Sequence, residues 1–168
     1  AVVEGMLATA APVLVVMDGD LQHDEAILPS LIDAVAKGGA DLAVGTRYCE
    51  GGGVGDWDQQ RQLVSRVATR LGQSILGVTL ADPMSGYFAV SRCYVESALP
   101  RISQIGFKIL LDIVASAPTP PQLAEIPFTF RTREAGESKI GAKVIVDYLE
   151  LLADKSIGRW IPVRLLKF

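Results

Sequence analysis

Two periods organise the apolar residues of this chain. Val13 to Val16 are an unbroken run of branched apolar side chains, the length and composition of a strand covered on both faces. Leu28, Leu31, Ile32 and Val35 follow at i, i+3, i+4 and i+7, which predicts an amphipathic helix that Gly38 and Gly39 end through a left-handed cap. Asp41 to Val44 make another short apolar strand. Strand, helix and strand in this spacing predict a right-handed parallel crossover that places Asp18 and Gly45 at one carboxyl edge, where α/β sheets bind ligands. A longer helix is expected from Asp58 onward, with Leu63, Val67, Leu71 and Ile75 as its buried stripe. Tyr87 to Val90 read as a strand and Phe107 to Ala115 as a short helix, followed by a connection rich in proline at Pro118, Pro120 and Pro121. Glu125 to Arg131 alternate as an edge strand, with Ile126, Phe128 and Phe130 on one side, and Ile140 to Leu152 predict a last helix. The pattern is that of an α/β fold, a mainly parallel sheet flanked by helices.

Composition narrows the class. The 168 residues are 49% hydrophobic, the size of one globular domain with a substantial core. A net charge of -3 and a pI near 5.2 argue against a nucleic-acid partner, which would call for a broadly basic surface. Cys49 and Cys93 lie far apart without metal-binding spacing, which fits a reducing compartment, and the single His23 excludes a multi-histidine metal site. No run of eighteen apolar residues and no charged-then-apolar leader occurs, so neither a spanning helix nor a signal peptide is expected within these residues. Both termini read as cut, the first inside a helix and the last in mid-pattern. The closing residues SIGRWIPVRLLKF interleave Arg159, Arg164 and Lys167 with Trp160 and aliphatic side chains, which suits a membrane headgroup boundary or packing against further chain. The expected division is a partial catalytic domain over 1–154 and a basic amphipathic, membrane-proximal segment over 155–168.

The chemistry gathers after the first strand, in VLVVMDGDLQHDE. Asp18 and Asp20 stand at i and i+2; on extended chain both would point one way and converge on one cation, with Gly19 leaving the space between them open. Such hard oxygen ligands suit Mg2+ or Mn2+ bridged to a diphosphate, whereas simple helix capping, as Asp24 is expected to provide, is the alternative. GTRYCEGGGVGDW, residues 45–57, is too rich in glycine for a helix or strand and forms a candidate lid at the ligand edge, or a plain surface connection. Arg61 and Ser65, one helical turn apart, could grip a phosphate together with Arg47; alternatively the arginines only solvate a helix face. In ADPMSGYF, Asp82 either accepts a substrate hydroxyl proton or starts a turn, and Ser85 and Gly86 stand at the strand entry. Arg131, Arg133 and Lys139 surround Gly136 in a second basic segment.

DGDLQH at 18–23, GTRY with its glycine loop, the Arg61 and Ser65 helix, DPMSGY at 82–87, FKILLDI at 107–113 and the REAGESK segment ending at Lys139 occur in one order over nearly the whole chain. Together they resemble the polyprenol-phosphate hexosyltransferases, most closely the dolichol-phosphate mannose synthase group of the inverting GT-A glycosyltransferases. The resemblance implies a GT-A-like sheet lacking its first strands, because the VPTYNE-like opening of the family has no counterpart before Ala1. It implies that Asp18, Asp20 and Gln22 hold Mg2+ or Mn2+ against the diphosphate of a nucleotide sugar. Arg47, Arg61 and Ser65 would bind the phosphate of the lipid acceptor, Arg131 and Lys139 would close over the reacting groups with Asp20 as catalytic residues, and Asp82 and Ser85 would contact substrate.

The activity so implied is metal-dependent transfer of a hexose, mannose from GDP-mannose first, to a polyprenyl phosphate at the cytoplasmic face of a membrane. UDP-glucose is the second donor. Two other readings compete: a phosphohydrolase with Asp18 as nucleophile and Asp20 as acid, against which Leu21 and Gln22 count, and a fragment that binds metal and phosphate without catalysis.

Overall fold

The computed structural model describes residues 1–53, 59–76, 80–103, 108–129, 131 and 142–157, with the helical stretches 59–65, 75–76 and 142–145 given by their backbone alone. The chain enters through helix α1 (Val2–Leu7) and strand β1 (Val13–Val16). Asp24 caps a single 3-10 turn at Glu25–Ile27 by accepting from Ala26 N at 3.2 Å, the capping role expected of it. Helix α2 (Leu28–Ala36) follows, and Gly39, at φ +75°, turns the chain out of it. Then come β2 (Leu42–Thr46), α3 (Gln59–Leu76), β3 (Phe88–Ser91), α4 (Arg92–Ala98), α5 (Ile109–Ser116), β4 (Leu123–Pro127) and α6 (Ala142–Ile157).

These strands form one sheet in the order β1-β3-β2-β4. β2 and β4 pair in parallel, with Leu42 opposite Leu123, and β1 runs the same way as both. The fourth strand departs from the expected crossover: β3 lies between β1 and β2, antiparallel to each, with Val13 opposite Ser91 and Leu42 opposite Val90. Its consequence is spatial. Three strands deliver their carboxyl ends to one edge, and β3, running backwards, begins at that same edge.

Period-two alternation sets the layers. Leu42 and Val44 of β2 and Phe88 and Val90 of β3 face one side, where α4 and α5 cover them with Tyr94, Val95, Ala98, Leu110, Ile113 and Val114. Ala43 and Ala89 face the other side against Leu31 and Val35 of α2. Every residue of β2 is buried, as a strand covered on both faces must be. β4 lies at the sheet edge, with Ile126 half-buried and Phe128, just beyond it, buried.

Two expectations shift. Of the stripe assigned to the interior of α3, the two members whose side chains are described face outward, Val67 at 58% exposed and Leu71 at 38%, while the side chains of Leu63 and Ile75 lie outside the description. Small residues take the inner face instead, because Tyr148 of α6 donates to Ala68 O at 2.6 Å and its hydroxyl leaves no room for a Cβ at Gly72. α6 also runs on to Ile157, past Leu152, where the last helix was expected to end, whereas residues 158–168 lie outside the described part.

Candidate functional site

β1 stops at Val16, and the backbone bends through Gly19, Asp20 and Leu21, the last at φ +60°. The acidic pair therefore does not sit on extended chain. Asp20 Oδ1 accepts from Gln22 N at 3.2 Å in a local turn, and the Asp18 side chain remains 64% exposed at the carboxyl edge. His23 is buried beneath it, its ring 5.0 Å from that of Tyr87 and 5.4 Å from that of Phe128, with Nε2 3.6 Å from Asp18 Oδ2. The one histidine thus packs beside the acidic motif.

Gln22 has a task the sequence did not suggest. Its buried amide Nε2 donates to Arg131 O at 3.0 Å, and Arg131 N donates to Gln22 O at 2.9 Å. The root of the second basic segment is thus tied to the acidic motif. The Arg131 guanidinium divides between Asp24 Oδ1 and Glu25 Oε2, each at 2.8 Å, and this contact with the exposed Glu25, together with a backbone hydrogen bond, holds the Glu25 carboxyl below its usual range. Lys139 and Arg133 lie outside the described residues.

Following β2, Arg47 turns back into the protein. Its Nε and Nη2 donate to the two carboxylate oxygens of Asp82 at 2.7 and 2.9 Å, a bidentate pair in which the Asp82 side chain is wholly buried. Burial alone would lower the Arg47 pKa, but hydrogen bonding and attraction from Asp82, with smaller contributions from Tyr48 and Asp18, leave it raised. Asp82 therefore holds Arg47 instead of presenting an open oxygen to a substrate hydroxyl. Ser85 is likewise turned inward: its hydroxyl donates to Gly45 O at 2.7 Å and fastens the start of β3 to the end of β2. Arg61 and Ser65 lie in the first turns of α3, and their side chains are outside the description.

Sequence reasoning missed Lys108. It stands immediately before α5, inside the FKILLDI motif, where burial first and then repulsion from Arg47 pull its pKa down to about 8 against the attraction of Asp82 and Asp18. A lone lysine at the head of an apolar helix was the available signal. Arg47 and Lys108 are consequently two half-buried cations that repel one another and are offset by Asp82 and, to a smaller extent, Asp18. The glycine-rich segment begins pinned, since Gly53 N donates to Phe128 O at 3.1 Å and Gly53 bridges Thr129; residues 54–58 of the candidate lid are outside the description.

The donor set also bears on the cation. Among the described residues no group of three His, Cys, Asp or Glu side chains could enclose a metal. Two carboxylates are nevertheless the protein share usual for a hard cation that takes its other ligands from substrate phosphate and water, so Asp18 and Asp20 fit that role. Gln22, its amide nitrogen engaged on Arg131, would meet a cation through its amide oxygen.

Comparison with known proteins bears on the same residues. The profile of the family described as glycosyl transferase family 2 matches residues 1–98. A dolichol-phosphate mannosyltransferase of Pyrococcus furiosus is 41% identical over 151 residues, 89% of this chain and 42% of that protein. The dolichol-phosphate mannosyltransferase of Saccharomyces cerevisiae is 37% identical over 174 residues, 100% of this chain and 64% of that protein. A polyprenol monophosphomannose synthase of Mycolicibacterium smegmatis is 35% identical over 147 residues, covering 86% and 55%. The chain thus spans about half the length of the curated relatives it matches. In fold it resembles glucosyl-3-phosphoglycerate synthase of Mycobacterium tuberculosis, at a TM-score of 0.61 and 18% identity over 90% of this chain and 52% of that one. A structure of the same enzyme with Mn2+, UDP-glucose and glycerol 3-phosphate gives a TM-score of 0.58 at 20% identity, with the same coverage.

Proposed function

This chain belongs to glycosyl transferase family 2, and on that premise we propose that it forms part of an inverting enzyme transferring a hexose, mannose from GDP-mannose, to the phosphate of a polyprenyl phosphate. The observation that carries this reading is the exposed Asp18 carboxylate at one sheet edge, with the half-buried cations Arg47 and Lys108 within its electrostatic reach. A carboxylate suits a cation-bound diphosphate, and adjacent cations suit a second anionic group. The named activity of the relatives supports the same assignment.

The chemistry asks little acid-base work of the protein. A phosphate monoester has a second pKa of about 6 and is already largely an anion at neutral pH, so its oxygen can attack the sugar C1 without a general base. The bond from C1 to the donor diphosphate breaks as the new one forms, and the nucleoside diphosphate leaves. Bound Mg2+ or Mn2+ would neutralise charge on that leaving group, held by Asp18 and Asp20 with Gln22 beside them. The chain's task is to bring two anions together and hold them in line, work for Arg47, Lys108, Arg61, Ser65, Arg131 and Lys139. Arg47 arrives oriented by Asp82, and Arg131 is positioned through Gln22. A lipid acceptor calls for work at a membrane surface, which we take to be the cytoplasmic face; among the described residues no helix is long and apolar enough to cross a membrane.

The direct test is transfer by a chain completed to the length of its curated relatives, supplied with polyprenyl phosphate, Mn2+ and either GDP-mannose or UDP-glucose. Mannosyl transfer that stops on adding a chelator is expected; no sugar transfer from either donor would sink the proposal. In that protein Arg61→Ala should raise the acceptor KM by about tenfold while leaving donor binding nearly unchanged, and an equal loss for both substrates would contradict the acceptor role.

Lys108 adds a pH signature. Its lowered pKa means that the free enzyme loses this ammonium as pH rises through about 8, and the neutral amine attracts phosphate less, so kcat/KM should fall on that alkaline side. Lys108→Arg, ionised throughout the accessible range, should flatten that limb. An identical alkaline limb in the variant would remove Lys108 from the site.

A further inference from the structure

Glycines are usually explained by the backbone, and Gly86 cannot be. Among the described residues the glycines at positive φ are Gly39 and Gly51, so Gly86 occupies a backbone conformation open to any L-residue. What forbids a side chain there is Asp18. An ideal Cβ on Gly86 would lie 2.8 Å from Asp18 Cγ and 3.1 Å from its Oδ1, and closer still to Oδ2. By contrast, a Cβ on Gly19, next to Asp18 in the chain, would meet nothing within 4 Å.

We propose that Gly86 is a positioning residue whose missing side chain forms the seat of the Asp18 carboxylate, so that the entry to β3 dictates where the exposed acid of the site stands. The seat is itself held on three sides. Ser85 fixes it to Gly45 through its hydroxyl, Tyr87 donates from its own hydroxyl to Asp24 O at 3.2 Å, and the turn closes through Ser85 N donating to Asp82 O at 3.1 Å. His23, its ring tilted at 49° against that of Tyr87, adds a further neighbour at 3.6 Å from Asp18 Oδ2. A short side chain on rigid backbone cannot yield to a Cβ by a few tenths of an ångström; it must leave for another rotamer, away from both His23 and the seat. The DPMSGY turn thus carries two aimed groups at once, Arg47 through Asp82 and Asp18 through Gly86.

The inference rests on the cation-binding reading of Asp18 only for its consequence; the steric coupling stands without it, and the experiment separates the two. His23 is the one histidine of the chain, so its ring signals report the neighbourhood of Asp18 without ambiguity. In Gly86→Ala those NMR signals should shift in the direction seen for Asp18→Gly, which takes the carboxylate away from His23, and adding Gly86→Ala to Asp18→Gly should shift them no further. Signals that stay at their wild-type positions, or a shift of equal size with and without Asp18, would overturn the proposal. Should Gly86→Ala fold poorly, adding Asp18→Gly removes the obstructing atoms and should restore folding; no recovery is equally fatal to it. Titration with Mn2+ alone supplies the second arm, because the paramagnetic ion broadens nearby ring signals even when it binds weakly. Half-broadening in Gly86→Ala should need about tenfold more Mn2+ than in the wild type, a loss of about 1.4 kcal/mol in binding. If Mn2+ broadens nothing in the wild type, the metal reading fails while the shift comparison still decides the role of Gly86.

Discussion

Replacing Lys155 by methionine is expected to destabilise the chain by about 3–5 kcal/mol, a fall in Tm of roughly 10 °C for a domain of this size. The ammonium lies 2.7 Å from Asp112 Oδ1, with the two side chains only 7% and 2% exposed. It also donates to Arg101 O at 2.7 Å and to Ser116 Oγ at 2.8 Å. Asp112 is served in addition by Ser103 N at 3.2 Å and Ser103 Oγ at 3.0 Å. Methionine would match the stem of the lysine but leave a carboxylate in low dielectric with neutral donors alone. Because the cost comes from the stranded charge more than from the lost attraction, Asp112→Leu together with Lys155→Met should recover most of it. Thermal or urea denaturation of the two single variants and the pair decides the matter: additive losses would show that the two side chains act independently and that no stranded charge is at work, and a single-variant loss under about 1 kcal/mol would show that water reaches it.

In the turn before β3, Asp82→Asn is expected to lower kcat/KM for the proposed transfer by about 100-fold. Asparagine keeps the shape but not the charge, and it sets an NH2 where a carboxylate oxygen met the fork of Arg47. The buried guanidinium is then half-paired, and Lys108, which already feels its repulsion, loses the first of the two acids that offset it. Both cations would shift toward solvent by a fraction of an ångström or more, enough to spoil alignment of two anions that repel. Arg47→Lys should fail comparably, since an ammonium cannot bond both oxygens in one plane. Steady-state kinetics with both substrates checks this, and near-wild-type rates in Asp82→Asn would show that Arg47 needs no orienting partner.

What was legible in advance follows from how far apart the partners lie. The elements β1, α2 and β2 and the capping by Asp24 depend on neighbours a few positions away, and apolar runs with a cap residue declare them. The jobs of DPMSGY join residues 35 and 40 positions apart, Asp82 to Arg47 and Ser85 to Gly45, and nothing local distinguishes a turn that merely turns from one that clamps two strands. For α3, four-residue spacing of large apolar side chains suggested the wrong face because contact with α6 was decided by smallness: Ala68 and Gly72 admit Tyr148, whereas Val67 and Leu71 would have held it off. Lys155 was assigned to a surface segment by its charge, and its partner Asp112 lies two elements earlier. The site residues Asp18, Arg47, Asp82 and Ser85 do gather at one edge, but Asp82 and Ser85 turn inward and work on the protein rather than facing outward.

The position of β3 between β1 and β2 has a consequence in time. Val13 to Val16 find their ladder partners at Phe88 to Ser91, about 75 positions later, which takes a ribosome adding 5–20 residues per second roughly 4–15 s to reach. Throughout that interval a run of four branched apolar residues has emerged ahead of its β3 partner, and β4 must then travel a similar distance to reach β2. The strand that begins at the chemistry is therefore also the one for which the nascent sheet must wait.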